Sequence, residues 1–168
     1  EVLKPMNPSK PGSPTLNTTR LSETTLKVIV NDDCEYVLNE SATAVLESSG
    51  SWSTLKKDDK GTHTFTGLSK DKTYYLHARY HETANYRYSA EDVSAGTKPW
   101  ASTQYTITYA GTDGAANTNL TQYTELSAEI TLSDASKDGY TFIGWTAQDG
   151  DTPAKGLKIP SGSAGDKT

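Results

Sequence analysis

Apolar and polar residues alternate over short stretches of this chain, the period-two pattern of strands with one buried face. In Thr24–Val30, Leu26, Val28 and Val30 fall on one face, and Lys27 and Ile29 on the other. A second strand is predicted over Cys34–Leu38, after the turn Asn31-Asp32-Asp33. Trp52 follows Gly50 in a short run, and Thr62–Phe65 leads into the turn Gly67-Leu68. The strongest pattern is Thr73–His81: Tyr74, Leu76, Ala78 and Tyr80 share one face, and Tyr75, His77, Arg79 and His81 the other. A last strand of this first body covers Val93–Thr97. Brief strands with turn signals at short intervals predict a sandwich. The segment Ala42–Ser49 fits a short helical turn or an irregular excursion equally.

Beyond residue 100 the same period continues. Tyr105, Ile107 and Tyr109 alternate with threonines, and a Gly/Asn-rich loop follows over Gly111–Asn119. Tyr123 and Ala128–Leu132 come next, then the charged turn Asp134–Gly139. Tyr140–Trp145 closes the series, with Tyr140, Phe142 and Gly144 alternating with Thr141, Ile143 and Trp145. Four of the seven prolines lie in residues 1–14, so residues 1–13 are expected to form a Pro-rich linker. A second break falls at Lys98-Pro99-Trp100. The expected domains are therefore 14–99 and 100–168. The chain starts and stops in mid-pattern, and is expected to be a piece of a longer protein.

Composition supports strand over helix. Thr and Ser make up about a quarter of the 168 residues, well above average usage. Thr and Tyr fit pleated, half-buried surfaces. No apolar run approaches the roughly 20 residues that cross a bilayer as a helix, so no membrane insertion is expected. The net charge of −5 argues against a nucleic-acid binder of the basic type. A single cysteine excludes an intrachain disulfide framework.

Candidate chemistry is sparse. His77 and His81 are four residues apart, which spans about 13 Å on a strand and is too far for one zinc ion. Both are expected as solvated sheet-face histidines. Cys34 sits among Asp32, Asp33 and Glu35, which raise a thiol pKa, so it is expected to be a small core residue at a strand start. Asn31-Asp32-Asp33, Asp58-Asp59 and Asp149-Gly150-Asp151 each offer oxygens to calcium, but none fits the twelve-residue loop of an EF-hand. Tight-turn chemistry explains all three. No nucleophile triad, phosphate loop or zinc motif is present, and no catalytic residue, cofactor or metal is expected. Trp52, Tyr86, Tyr88 and Trp100 fall in turns or linkers. Exposed aromatic faces there would contact a ligand; the alternative is that Trp52 and Tyr88 cover the sandwich edge and Trp100 wedges the domains.

Two resemblances rest on specific residues. Phe65-Thr-Gly-Leu68 followed by Thr73-Tyr74-Tyr75-Leu76 resembles a fibronectin type III-like module, with Lys70 where that family has proline. The resemblance implies a tyrosine corner, in which Leu68 and Tyr74 brace the turn before the strand. Tyr105-Thr-Ile-Thr-Tyr109, Gly139-Tyr140-Thr-Phe142-Ile-Gly144-Trp145 and Ile159-Pro-Ser-Gly162 resemble the Listeria–Bacteroides repeat of the internalin B type. That resemblance implies a small β-grasp, ubiquitin-like domain of the kind found in arrays on bacterial surfaces. Gly139, Tyr140, Phe142, Gly144 and Trp145 would be its structural residues, with Trp145 in the core. The family's closing strand would follow Lys167-Thr168, and a sheet without it exposes an unpaired edge.

The fold class read from the chain is mainly β: an Ig/Fn3-like sandwich followed by a β-grasp repeat. The function this implies is a non-catalytic spacer, stalk or adhesion module of a Gram-positive bacterial cell-surface protein. Its partner would be a host protein or glycan. The alternative is an accessory, glycan-binding region of a secreted carbohydrate-active enzyme.

Overall fold

The computed structural model describes residues 3–20, 22–45, 51–147 and 151–168. Every regular element among them is a strand, and none is a helix. The mainly-β class read from the alternation is what the structure shows. The chain divides into two compact units, Glu1–Ala101 and Ser102–Thr168.

The first unit holds β1 (Met6–Asn7), β2 (Asn17–Thr18), β3 (Leu26–Ile29), β4 (Cys34–Asn39), β5 (Thr62–Phe65), β6 (Tyr75–Tyr80), β7 (Arg87–Ser89) and β8 (Asp92–Val93). Two three-stranded sheets form, in the orders β2-β3-β5 and β4-β6-β8, both with antiparallel neighbours. Their inward side chains meet in one core of Leu16, Leu26, Val28, Cys34, Tyr36, Tyr74, Leu76 and Ala78. Burying one Leu or Val of such a core stabilises by about 1.5–3 kcal/mol. The predicted alternation of β3 holds: Leu26 and Val28 are buried, while Ile29 is 73 % exposed.

The proline-rich start, read as a linker, runs extended along this unit. β1 pairs in parallel with β7, and the Arg87 N–H donates to the Pro5 carbonyl at 2.9 Å. Lys4 reaches Glu82 at 2.7 Å, and the Gly12 N–H donates to Asp92 at 3.1 Å. Proline tolerates an edge position like this because it owes no N–H to a ladder on its outer side.

One strand departs from the one-sided pattern. In β6 four consecutive residues, Leu76 to Arg79, are buried, so both faces are covered. Ser41, Trp52, Tyr88 and Glu91 contact the second face. Part of the segment Ala42–Ser49 lies outside the described residues; what is described, through Val45, is irregular.

The second unit holds β9 (Gln104–Thr106), β10 (Gln122–Thr124), β11 (Ile130–Thr131) and β12 (Lys158–Ile159). β9 and β10 pair antiparallel with Tyr105 opposite Tyr123, and β11 pairs antiparallel with β12. Ile107, Tyr123 and Ile159 form its small core, flanked by Tyr105, Tyr109 and Ile130. The edge of β9 away from β10 is partly covered: Lys167 bridges Ile107 in parallel, through bonds from the Lys167 N–H to Thr106 and from the Thr108 N–H to Lys167.

Tyr140–Trp145, predicted as a strand, is irregular. Only Trp145 pairs, with Ala154. Alternation expresses a strand only where a neighbour offers a free edge, and Gly139 and Gly144 at φ +77° and +147° break the extended path on either side of the aromatics.

Candidate functional site

In the first unit two of the four aromatic residues singled out from the sequence, Trp52 and Tyr88, converge on a cation. Arg79 lies opposite Glu35 in the β4–β6 register, and its Nε donates to Glu35 Oε1 at 2.5 Å. The guanidinium carbon sits 4.2 Å from the centroid of the Trp52 ring and 4.1 Å from that of Tyr88. Arg87 continues the stack, 5.2 Å from the Tyr88 centroid, with its Nη2 donating to the Tyr88 hydroxyl at 2.7 Å. Trp52 is brought in by the bridge between Ser53 and Tyr36, and Tyr88 by β7. An aromatic ring attracts a cation over its face, and the guanidinium plane suits that geometry. Trp52 and Tyr88 therefore each commit a ring to Arg79. Tyr86 is 40 % exposed, and Trp100 is half-buried beside the buried Pro99.

The histidines do not form the solvated face read from the sequence. His77 has no exposed surface. Its Nε2 lies 2.9 Å from the Ser41 carbonyl and 3.3 Å from Asn39 Oδ1, and its Nδ1 lies 3.3 Å from Glu91 Oε1. The correction has a physical reason: residues after β4 fold back over this face of β6 and give the imidazole polar partners, without which its burial would be costly. His63 Nδ1 meets the Lys56 carbonyl at 2.7 Å, and its ring stands edge-on to Phe65. His81 is half-buried. Among the described residues no three His, Cys, Asp or Glu side chains converge as a metal site.

Cys34 is buried at the start of β4. Burial pushes its thiol up, as does the Asp33 charge, against the lowering effect of a hydrogen bond with Tyr36. A thiol held protonated in the core is a poor nucleophile. The acidic turns carry local hydrogen bonds: Asp58 accepts from the Thr62 hydroxyl first, then from the Thr62 and Lys60 N–H groups, and these bonds lower its pKa. Asn31 Oδ1 accepts from the Asp33 N–H, an Asx turn. Asp149 and Gly150 lie outside the described residues.

At the predicted corner the Ser69 N–H donates to the Tyr74 hydroxyl at 3.0 Å, and Leu68 packs against the core to which Tyr74 belongs.

In the second unit the repeat-motif residues border a groove of about 1110 Å³. Trp145 is half-buried and packs between Tyr109 and Phe142, both at 5.1 Å between ring centroids. Its Nε1 donates to the Ser133 carbonyl at 2.9 Å. Tyr140 and Ile143 are each 72 % exposed. Lys137 Nζ stands 4.5 Å over the Tyr140 ring. The aromatics were visible in the sequence; the groove was not, because it depends on which strands fail to pair.

Comparison with known proteins bears on this second unit. The Listeria-Bacteroides repeat domain model matches residues 105–168, which is the second unit apart from its first three residues. The repeat read from Tyr105–Tyr109 and the Gly139–Trp145 motif is thus recovered. No curated protein and no solved structure matches the chain.

Proposed function

We propose that the chain is a non-catalytic module of a bacterial cell-surface protein, a spacer or adhesion segment. The observation that carries this reading is the match of residues 105–168 to a repeat domain that occurs on bacterial surfaces. In this reading the first unit is a fibronectin type III-like sandwich braced by Leu68 and Tyr74, and the second is a β-grasp repeat. The polar groups described above support it: Arg79, His77 and Cys34 are spent on packing and internal hydrogen bonds, not held at a reactive opening. Extended modules that fold independently hold other domains at a distance, and their exposed residues are free for a host protein or glycan. Tyr86, whose ring is not tied to Arg79, is the first-unit aromatic best placed for such contact.

The test is immunolabelling of intact cells of the source with antibodies raised against residues 1–168. Labelling of unbroken cells, removed by external protease, is the expected outcome. Labelling only after the envelope is opened would sink the proposal.

A further inference from the structure

The proline-rich start of the first unit is tied along the strand that leads out of that unit. Lys4 Nζ lies 2.7 Å from Glu82 Oε1 and donates to the Thr83 carbonyl at 3.0 Å. The Pro5 carbonyl accepts from the Arg87 N–H, and Met6 and Asn7 pair in parallel with Arg87 and Ser89. Further on, Lys10 Nζ stands 3.5 Å from Asp92 Oδ1, and the Gly12 N–H donates to Asp92 Oδ2 at 3.1 Å. From Lys4 to Gly12 the chain therefore forms a strap that tracks residues 82–92 in the same direction.

The outgoing run continues beyond β8, antiparallel to β6. Ala78 and His77 pair with Asp92 and Val93, and Tyr74 bridges Thr97 through two hydrogen bonds of 2.8 and 2.9 Å. The strap begins beside the turn that follows β6, at Glu82 and Thr83. Thr97 lies at the other end of β6, beside Tyr74. The chain thus enters this unit near one end of β6 and leaves it near the other.

Direction decides what these ties do under tension. Two parallel strands, pulled from the entry of one and the exit of the other, are drawn in opposite senses along a common axis. A pull outward on Lys4 and on the chain beyond Thr97 therefore slides the strap lengthwise past the outgoing strand. Its ties share the force and must give way together. A pull that lifts the strap from its first residue breaks the same ties one after another, each under the whole force. At rest, ion pairs this exposed contribute little to stability. Under a pull they act on the rate of unfolding, which is what governs forced unfolding.

We propose that residues 4–12 are a mechanical clamp, which keeps the first unit folded when it is pulled through its entry and exit. The inference deepens the spacer reading, and rests on it for the source of the pull.

The test is single-molecule pulling of the full chain through paired thiol handles, all in one Cys34→Ala background. One pair uses Leu3→Cys with Ala101→Cys, and the other Leu3→Cys with Ala84→Cys; all three positions are exposed. The first pair shears the strap, and the second peels it. The length released, about 3.3–3.6 Å per residue, tells a detached strap from an unfolded unit. With the first pair, strap and unit are expected to give way in one step. With the second, the strap is expected to detach at no more than about half that force. The same bonds are compared in both, so a strap that only adds stability predicts no dependence on direction. Lys4→Glu, which sets like charges together at Glu82, should raise the unfolding rate under force at least threefold with the first pair. Its far-UV circular dichroism should be unchanged.

Equal forces in the two geometries overturn the proposal. So does early, low-force release of the strap with the first pair while the rest of the unit stays folded. A Lys4→Glu rate equal to that of the parent overturns it as well. The handles measure resistance wherever the chain resides in the cell. A clamp can therefore be found in a chain that fails the labelling test, and a labelled surface chain can lack one.

Discussion

The guanidinium carbon of Arg79 lies 4.1 Å from the centre of the Tyr88 ring, and this contact ties β6 to β7 through their side chains. Trp52 closes the opposite side at 4.2 Å, and Glu35 accepts a hydrogen bond from the Nε–H. A strand that reads as half solvent-facing is therefore buried on both sides, with a charge in the middle of its second face.

Removing that charge should cost more than its contacts suggest. Arg79→Ala leaves the half-buried Glu35 carboxylate without its partner and two rings without a filling, so a loss of about 2–3 kcal/mol is expected. Arg79→Lys keeps the charge but loses the planar stacking, and about 1 kcal/mol is expected. Urea unfolding monitored by tryptophan fluorescence measures both. Equal and negligible losses would show that the stack contributes nothing.

Tyr74→Phe isolates one hydrogen bond. The ring stays in the core, and the Ser69 N–H loses its acceptor. The expected loss is about 1–2 kcal/mol in the same unfolding assay. Tyr75→Phe, on the neighbouring position outside that core, serves as the control and should stay within about 0.5 kcal/mol of the parent.

Cys34 should be nearly inert in the folded chain. Its side chain is buried and its thiol is held protonated by burial first and Asp33 second. Alkylation by iodoacetamide at pH 8 is expected to be on the order of 100-fold slower than in denaturant, because reaction requires local or global opening. Native labelling at the denatured rate would contradict the burial.

Alkaline pH should destabilise the first unit. Cys34 and Tyr36 are both raised above their ordinary values of 9.0 and 10.0, chiefly by burial. A raised group favours the folded state while protonated. Its contribution is full below the unfolded value and is lost as pH climbs through the folded one. Stability is therefore expected to hold up to about pH 9 and to fall above it. Cys34→Ala should flatten the early part of that fall, as melting temperatures across pH 7–11 would show.

Two glycines of the repeat motif should differ sharply. At Gly144, φ is +147° and an added Cβ would run into the Ala154 and Pro153 backbone at the Trp145 bridge. Gly139, at φ +77°, has open space where its Cβ would go. Gly139→Ala should cost about 1 kcal/mol from the left-handed backbone alone, and Gly144→Ala about 3 kcal/mol, since backbone must also move. Thermal unfolding of the two variants compares them directly. A milder effect at Gly144 would refute the close approach.

Much of this architecture was legible in the chain. The residues of β5 were read at their observed limits, and the core face of β3 followed from Leu26 and Val28, because alternation records which face meets the core. His77 was misplaced as solvated, and the burial of Arg79 was not legible, for the same reason. Alternation told that they oppose Leu76 and Ala78, but not that Ser41, Trp52, Tyr88 and Glu91 would come over that face from distant parts of the chain. The Tyr140–Trp145 pattern promised a strand and found a single bridge, since pairing needs a partner edge that no local pattern encodes.

By itself the sequence determined the β class and the repeat motif, which rest on local periodicity and residue spacing. The tertiary structure alone decided that Trp52 and Tyr88 enclose Arg79, that His77 is buried with partners, and that Trp145 packs between Tyr109 and Phe142. Those outcomes depend on the register between strands far apart in the chain, where long-range packing fixes what a residue faces.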